Sequence, residues 1–181
     1  INADGTEIHS DIDGHVTLEK DGTVNVSDEL VVRSDVDNST GNVEYDGNVH
    51  ITGAVRSGFS VRATGDIIID GVVEGAFIDA GGQIVVQRGV HGMNKGLLQS
   101  KGNVIASFIE SARVIAGGFV ETGSILYSDV SASTDVMVMN KKGFIAGSTV
   151  RAGGKVESVT IGSEMGAAAR IEVGIDPEKK R

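Results

Sequence analysis

"ATGDIIIDGVVEGAFIDAGGQIVV" (63–86) opens on small residues ahead of Gly65, alternates apolar side chains, and opens the same way again at Ala80-Gly81-Gly82. Its period is two. Apolar and polar positions exchange in short runs broken at Gly71 and Gly75, the pattern of brief strands with one buried side. Glycine at the breaks reads as a source of the backbone angles that a tight corner demands. A helical face needs apolar residues at i, i+3 and i+4 over about ten or more positions, and nothing here sustains that. The one helix-friendly patch is "SEMGAAARIE" (163–172).

The opening recurs along the chain. Cassettes of the form small-small-Gly-x-aliphatic, or close variants of it, sit at Gly47, Gly65, Gly82, Gly102, Gly118, Thr134 and Gly154, at intervals of 18, 17, 20, 16, 16 and 20 residues. A period near 18 that tolerates slips of a few residues marks a solenoid whose insertions fall in corner loops. Each repeat then forms one coil of a parallel β-helix, with strands of successive coils stacked about 4.8 Å apart. Val, Ile and Ala form ladders into a shared interior, Ile69 among them. One coil cannot bury its own apolar side, whereas a stack can.

Spacing leaves the hand of the helix open. Val43, Val49, Val55, Val61, Ile67 and Val73 fall six apart, as in left-handed hexapeptide solenoids, but the register of six is lost after Val90, and steps of 16 and 20 fit it badly. The balance leans to the right-handed form.

Composition agrees with a β-lattice. With 181 residues, 26 Gly, one Pro, no Trp and 4% aromatic residues, the interior must be built from small and β-branched side chains. Abundant aliphatics separate the chain from a disordered Gly-rich linker. A net charge of −9 without a Lys/Arg cluster disfavours nucleic acid and anionic membrane as partners. No apolar run approaches the length needed to insert across a bilayer. The absence of cysteine removes disulfides, thiolate metal sites and cysteine catalysis, and fits a reducing cytoplasm. The chain begins "INADGTEIHSD" without Met and without a basic stretch ahead of an apolar one. It therefore reads as a piece of a longer protein with no secretory leader at this end.

The ordered series "DVDNSTGNVEYDGNV", "GAVRSGF", "GVVEGA", "GVHGMNKG", "FIESARV" and "IGSEMG…IEVGIDP", from Asp35 to Pro177, resembles the flagellar assembly protein A family and, more distantly, the bactofilins, the resemblance running from about Ile12 to Pro177. The resemblance implies a right-handed parallel β-helix. It also implies a cytoplasmic protein, with recruitment to the cell pole, that acts in flagellar assembly and cell-pole organisation without catalytic activity or cofactor. Its partners are then proteins of the flagellar or polar machinery. Family members carry further regions on either side, which agrees with the fragment reading.

Several candidate chemistries stand beside plainer readings. Asp35, Asp37 and Ser39 in "DVDNSTG" are spaced like a calcium loop, but Gly41 is seventh and Asp46 twelfth, where an EF-hand wants Gly sixth and Glu twelfth. A capping turn accounts for them better. His9, His15, His50 and His91 form no ligand pair, so no metal site is expected. His91 lies in the longest corner insertion, "RGVHGMNKGLL" (88–98), where an acyltransferase would carry its base. The same loop reads as a protein-contact knob made of His91, Met93, Asn94 and Lys95, with Met93, Leu97 and Leu98 beside its polar centre. A carbohydrate-active β-helix would need acids converging on one flank, for which Asp66, Asp70, Glu74, Asp79, Glu110 and Glu121 are available. The plainer reading makes them solvated outward positions. Lys141-Lys142 marks a second corner insertion, too small for a nucleic-acid patch.

The expectation is therefore an all-β, single-stranded right-handed parallel β-helix of about seven or more coils. Residues 1–33 supply an N-terminal cap and first coil, with "DGHVTLEKDGTVNV" as a two-strand cover. Residues 34–160 form the helix, and 161–181 a C-terminal cap and the start of a linker. Its function is that of a non-enzymatic scaffold, with end-to-end self-association available if a cap opens. The alternatives are a hexapeptide-type acyltransferase and a carbohydrate-active β-helix enzyme.

Overall fold

Each cassette lies on the one before it. Gly65 N–H donates to Gly47 O, Gly82 to Gly65, Gly102 to Gly82, Gly118 to Gly102, Thr134 to Gly118 and Gly154 to Thr134, at 2.7–3.2 Å. The repeat read along the sequence is thus the pitch of the coil. The computed structural model describes residues 9–11, 14–18 and 20–174. Among them there is no helix, and the chain from Glu29 to Val173 winds into a stack of eight parallel coils.

Every coil has three sides. Face A is an eight-stranded sheet that includes Asn48–Ile51, Ile67–Ile69, Ile84–Val86 and Val104–Ala106. Face B runs through Val36, Val55 and Val72–Glu74, continuing to Ser124–Leu126 and Phe144–Ala146. Face C runs from Val43–Tyr45 through Ser60–Ala63 and Phe77–Ala80 to Asp129–Ala132 and Thr149–Ala152. Faces B and C join in one sheet because Gly89–Ser100 and Ile109–Ala116 run round their shared corner.

The core is three ladders of aliphatic side chains. Val49, Ile67, Ile84 and Val104 rise along face A, Val55, Val73, Val90 and Ile109 along face B, and Val61, Ile78, Leu98 and Val114 along face C, all at most 1% exposed. Each burial is repeated by the coil above, so β-branched residues pack against their own kind. Where faces C and A meet, space shrinks and the inward column becomes Ala63, Ala80, Ser100, Ala116, Ala132 and Ala152. Ser100 is admitted because its buried hydroxyl donates to Gly82 O at 2.6 Å and accepts from Gly102 N–H at 3.0 Å.

Of the two break glycines, Gly75 has the left-handed angle expected of it (φ 46°), whereas Gly71 does not and is glycine because Gly53 O lies against it; four cassette glycines follow Gly71. Gly65, Gly82, Gly118 and Gly154 do not have positive φ; a side chain is excluded because the coil below leans on them. Asp66 Oδ1 accepts from Gln83 N–H at 2.8 Å, and in doing so lies where a Cβ on Gly82 would be. Asn48, Asn103 and Asp135 do the same to Gly65, Gly118 and Gly154. The carboxylate or amide satisfies a corner N–H that the ladder leaves over, and it demands glycine one coil up. Thr134 is the exception that fits, since the residue beneath is Phe119 and no Asx side chain crosses that position.

This predicts a measurable coupling. Gly82→Ala should cost about 1–3 kcal/mol in urea unfolding by displacing Asp66. In an Asp66→Ala background the same change should cost under about 1 kcal/mol, since neighbours that share a clash couple in a double-mutant cycle. Equal costs in both backgrounds would remove the Asx–Gly rule.

Two ends complete the chain. His15–Leu18 and Val24–Ser27 form an antiparallel hairpin whose Val16, Leu18 and Val24 are exposed. The helix-friendly patch is no helix. Gly162 (φ 92°) and Gly166 (φ 82°) turn the chain there, and Arg170–Val173 then pairs with Thr149–Ala152.

Candidate functional site

The corner between faces B and C carries the strongest local signal. In each coil from the third to the seventh the chain must turn there in the left-handed region. Gly75 (φ 46°) does so in coil 3 and Gly147 (φ 59°) in coil 7. Between them, coil 5 uses Ser111 (φ 51°), coil 6 uses Tyr127 (φ 46°), and coil 4 uses both Met93 (φ 52°) and Asn94 (φ 59°). A side chain in this conformation costs on the order of 1 kcal/mol, least for Asn. Glycine, present in the same column, would avoid it. Three consecutive coils therefore keep side chains where the backbone favours none.

The local chemistry builds the corner from inside. Ser128 and Ser148 are buried just past the turn, where Ser128 Oγ accepts from Ala112 N–H at 3.2 Å and Ser148 Oγ from Ser128 N–H at 3.1 Å. Coil 4 replaces the single turning residue with four, Gly92 to Lys95, and the pairing between His91 and Gly96 slips to accommodate them. Gly92 is buried against Ala112, while Met93, Asn94 and Lys95 point outward. Met93 is 54% and Tyr127 59% exposed. The Tyr127 ring lies along the next coil, where a Cβ on Gly147 would meet it at 2.5 Å.

A shallow depression of about 410 Å³ opens at this corner, lined by Asn94, Lys95, Leu97, Ser111, Arg113, Tyr127 and Asp129. A second, of about 360 Å³, lies between Tyr45, Asp46, Arg62, Thr64, Asp79 and Lys101. Its groups serve the fold: Thr64 Oγ1 donates to Asp46 at 2.7 Å and accepts from Gly47 N–H at 2.9 Å, and the Arg62 guanidinium stacks 5.2 Å from the Phe77 ring centre. The first depression combines strained backbone, an exposed aromatic ring and exposed cations.

Of the loop residues expected from sequence, Met93, Asn94 and Lys95 are at this corner. His91 sits one step before it on face B, with Nδ1 2.8 Å from Glu110 Oε2 and its ring edge-on to Phe108 at 4.8 Å. Sequence reading missed Ser111, Arg113 and Tyr127. Aligning the coils on this corner, rather than on the cassettes, would have shown Ser and Tyr in a column otherwise held by glycine.

The other candidates are separated by the coil geometry. Glu74 and Glu110 face outward on face B, Asp79 on face C and Glu121 on face A. Asp70 is 3.0 Å from His50 Nε2. The acids do not converge on one flank. Asp37 accepts from Ser39 Oγ–H at 2.7 Å and then from Ser39 N–H at 2.8 Å, which holds its carboxyl below the usual range. Asp35 is lowered by Ala54 N–H and then by the Arg56 guanidinium, which also reaches Glu74 at 3.0 Å. "DVDNSTG" is a capping turn with its carboxylates committed to separate partners. Among the described residues, no group of three or more His, Asp or Glu side chains is placed to hold a metal ion.

A family model described as the Flagellar Assembly Protein A β-solenoid domain matches residues 28–181. The chain belongs to this family. The match to flagellar assembly protein A begins one residue before the first strand of the coil stack and includes the whole strained corner. No curated protein and no solved structure matches the chain.

Proposed function

We propose that this flagellar assembly protein A domain is a non-enzymatic scaffold that holds a protein partner at the face B–face C corner of coils 4 to 6. It works in the cytoplasm with recruitment to the cell pole. The observation that carries the reading is the run of Met93, Asn94, Ser111 and Tyr127 in left-handed backbone between Gly75 and Gly147. Strain kept where glycine would relieve it points to side chains needed for something other than folding. What they offer is a ring, a thioether, an amide and nearby cations on a rigid edge, which suits recognition of a protein surface. A reaction would ask for groups aimed at one another, whereas His91 is engaged with Glu110 and Phe108 in the coil above.

Site-specific photo-crosslinking tests this in the protein's own host. A photoreactive amino acid at position 94 or 127 of the chromosomal copy should give a discrete adduct, and one at position 68, on the outer side of face A, should not. Adducts from position 68 alone would place the contact elsewhere.

A further inference from the structure

We infer that the outer surface of face C, from the strained corner through coil 8, binds an acidic peptide segment with an aliphatic or aromatic anchor. The inference rests on the contact role proposed above and adds the chemistry of the partner.

Charge is its first support. The chain carries −9, yet among the described residues this surface presents Lys95, Arg113, Arg151 and Arg170 against Asp129 and Glu172 on the sheet and Glu164 on the coil 8 corner. Both sheet carboxylates are already engaged. Asp129 lies 2.6 Å from Arg151 Nη1 and 3.5 Å from Arg113 Nη2, and Glu172 lies 2.7 Å from Arg170 Nη2 and 3.4 Å from Arg151 Nε. Among the described residues, that long contact is the one ion pair of Arg113, whose side chain is 64% exposed. Lys95 stands exposed on the corner loop. A net positive strip on a chain of net charge −9 favours the approach of an acidic segment from this side.

Apolar groups beside the cations are the second support. Leu97 is in register with Arg113 at the base of the depression, Ile115 is 38% exposed in the next outward column, and the Tyr127 ring closes the corner. The strip therefore offers an anchor point between cations, not charge alone. A nucleic-acid backbone fits less well. Its charges recur about every 3.4 Å along a strand and would meet Asp129 and Glu172, whereas a peptide can space its carboxylates to match Lys95, Arg113 and the arginines beyond.

Fluorescence anisotropy with the whole chain tests the inference. The probes are a labelled peptide in which Glu alternates with Ser around one Leu, the same peptide with Lys for Glu, and labelled oligodeoxythymidine. The acidic peptide should bind, weaken as salt shortens the screening length, and weaken at least about tenfold in Lys95→Glu/Arg113→Glu. Lys95→Gln/Arg113→Gln serves as a second variant that adds no repulsion, and thermal unfolding checks both folds. No binding of the acidic peptide, equal binding of the basic one, tighter binding of the oligonucleotide, or indifference to both variants overturns the inference. If both variants also leave flagellation and the crosslinks at positions 94 and 127 intact, the acidic-segment inference fails alone. Loss of those crosslinks from the unaltered chain removes the contact reading with it.

Discussion

Replacing Ile69 with Asp is expected to unfold the β-helix, or to leave it with a small fraction of its stability. Ile69 is fully buried, in register with Ile51 below and Val86 above. A carboxylate there meets only aliphatic side chains, and the neighbouring backbone donors are taken by the coil ladder. An unpaired charge in such a place costs about 4–5 kcal/mol or more, comparable with the roughly 5–15 kcal/mol that holds a whole domain. Because each coil is supported by its neighbours, the damage in coil 3 separates the stack into two weaker parts. Ile68→Asp is the control. Ile68 points outward between His50 and Val85, and the same change should cost about 1 kcal/mol or less. Urea unfolding of both variants measures the difference, and similar costs would mean that the inward and outward assignments along Ile67-Ile68-Ile69 are wrong.

That parity was legible because a strand has period two, and because the aliphatic ladder forces each coil to repeat the pattern of the last. The cassettes were legible for the same reason, and their stacking follows from parallel pairing. The cause of their glycines was not. A single coil shows only that Gly82 follows two small residues. The reason lies in Asp66 one coil below, and only the register brings the two together. The strained corner was hidden in the same way. Met93, Asn94 and Lys95 were visible as an insertion, whereas Ser111 and Tyr127 look like ordinary positions until Gly75 and Gly147 fall into line with them. Local periodicity reports which side of the chain is buried, and contacts between coils decide the rest.

The second large effect is expected at that corner, with function and stability moving apart. Met93→Gly, Asn94→Gly and Ser111→Gly, together with Tyr127→Asn, give every turning position a residue suited to φ near +50°. Relief of strain, on the order of 1 kcal/mol for each non-Asn site, is partly offset by the greater freedom of glycine in the unfolded chain. The net effect on stability is therefore near zero or favourable. What the variant lacks is the thioether, the Asn94 amide, the Ser111 hydroxyl and the exposed ring of Tyr127, the groups a partner would touch. A scaffold that folds well but presents nothing at coils 4 to 6 should fail in the cell.

The decisive measurement is thus flagellation of the native host carrying these four substitutions in the chromosomal gene, read beside the thermal midpoint of the same purified protein. Cells with few or no flagella, and a midpoint equal to or above that of the unaltered chain, are the expected result. Normally flagellated cells with a stable variant, or a midpoint that falls by many degrees, would contradict it.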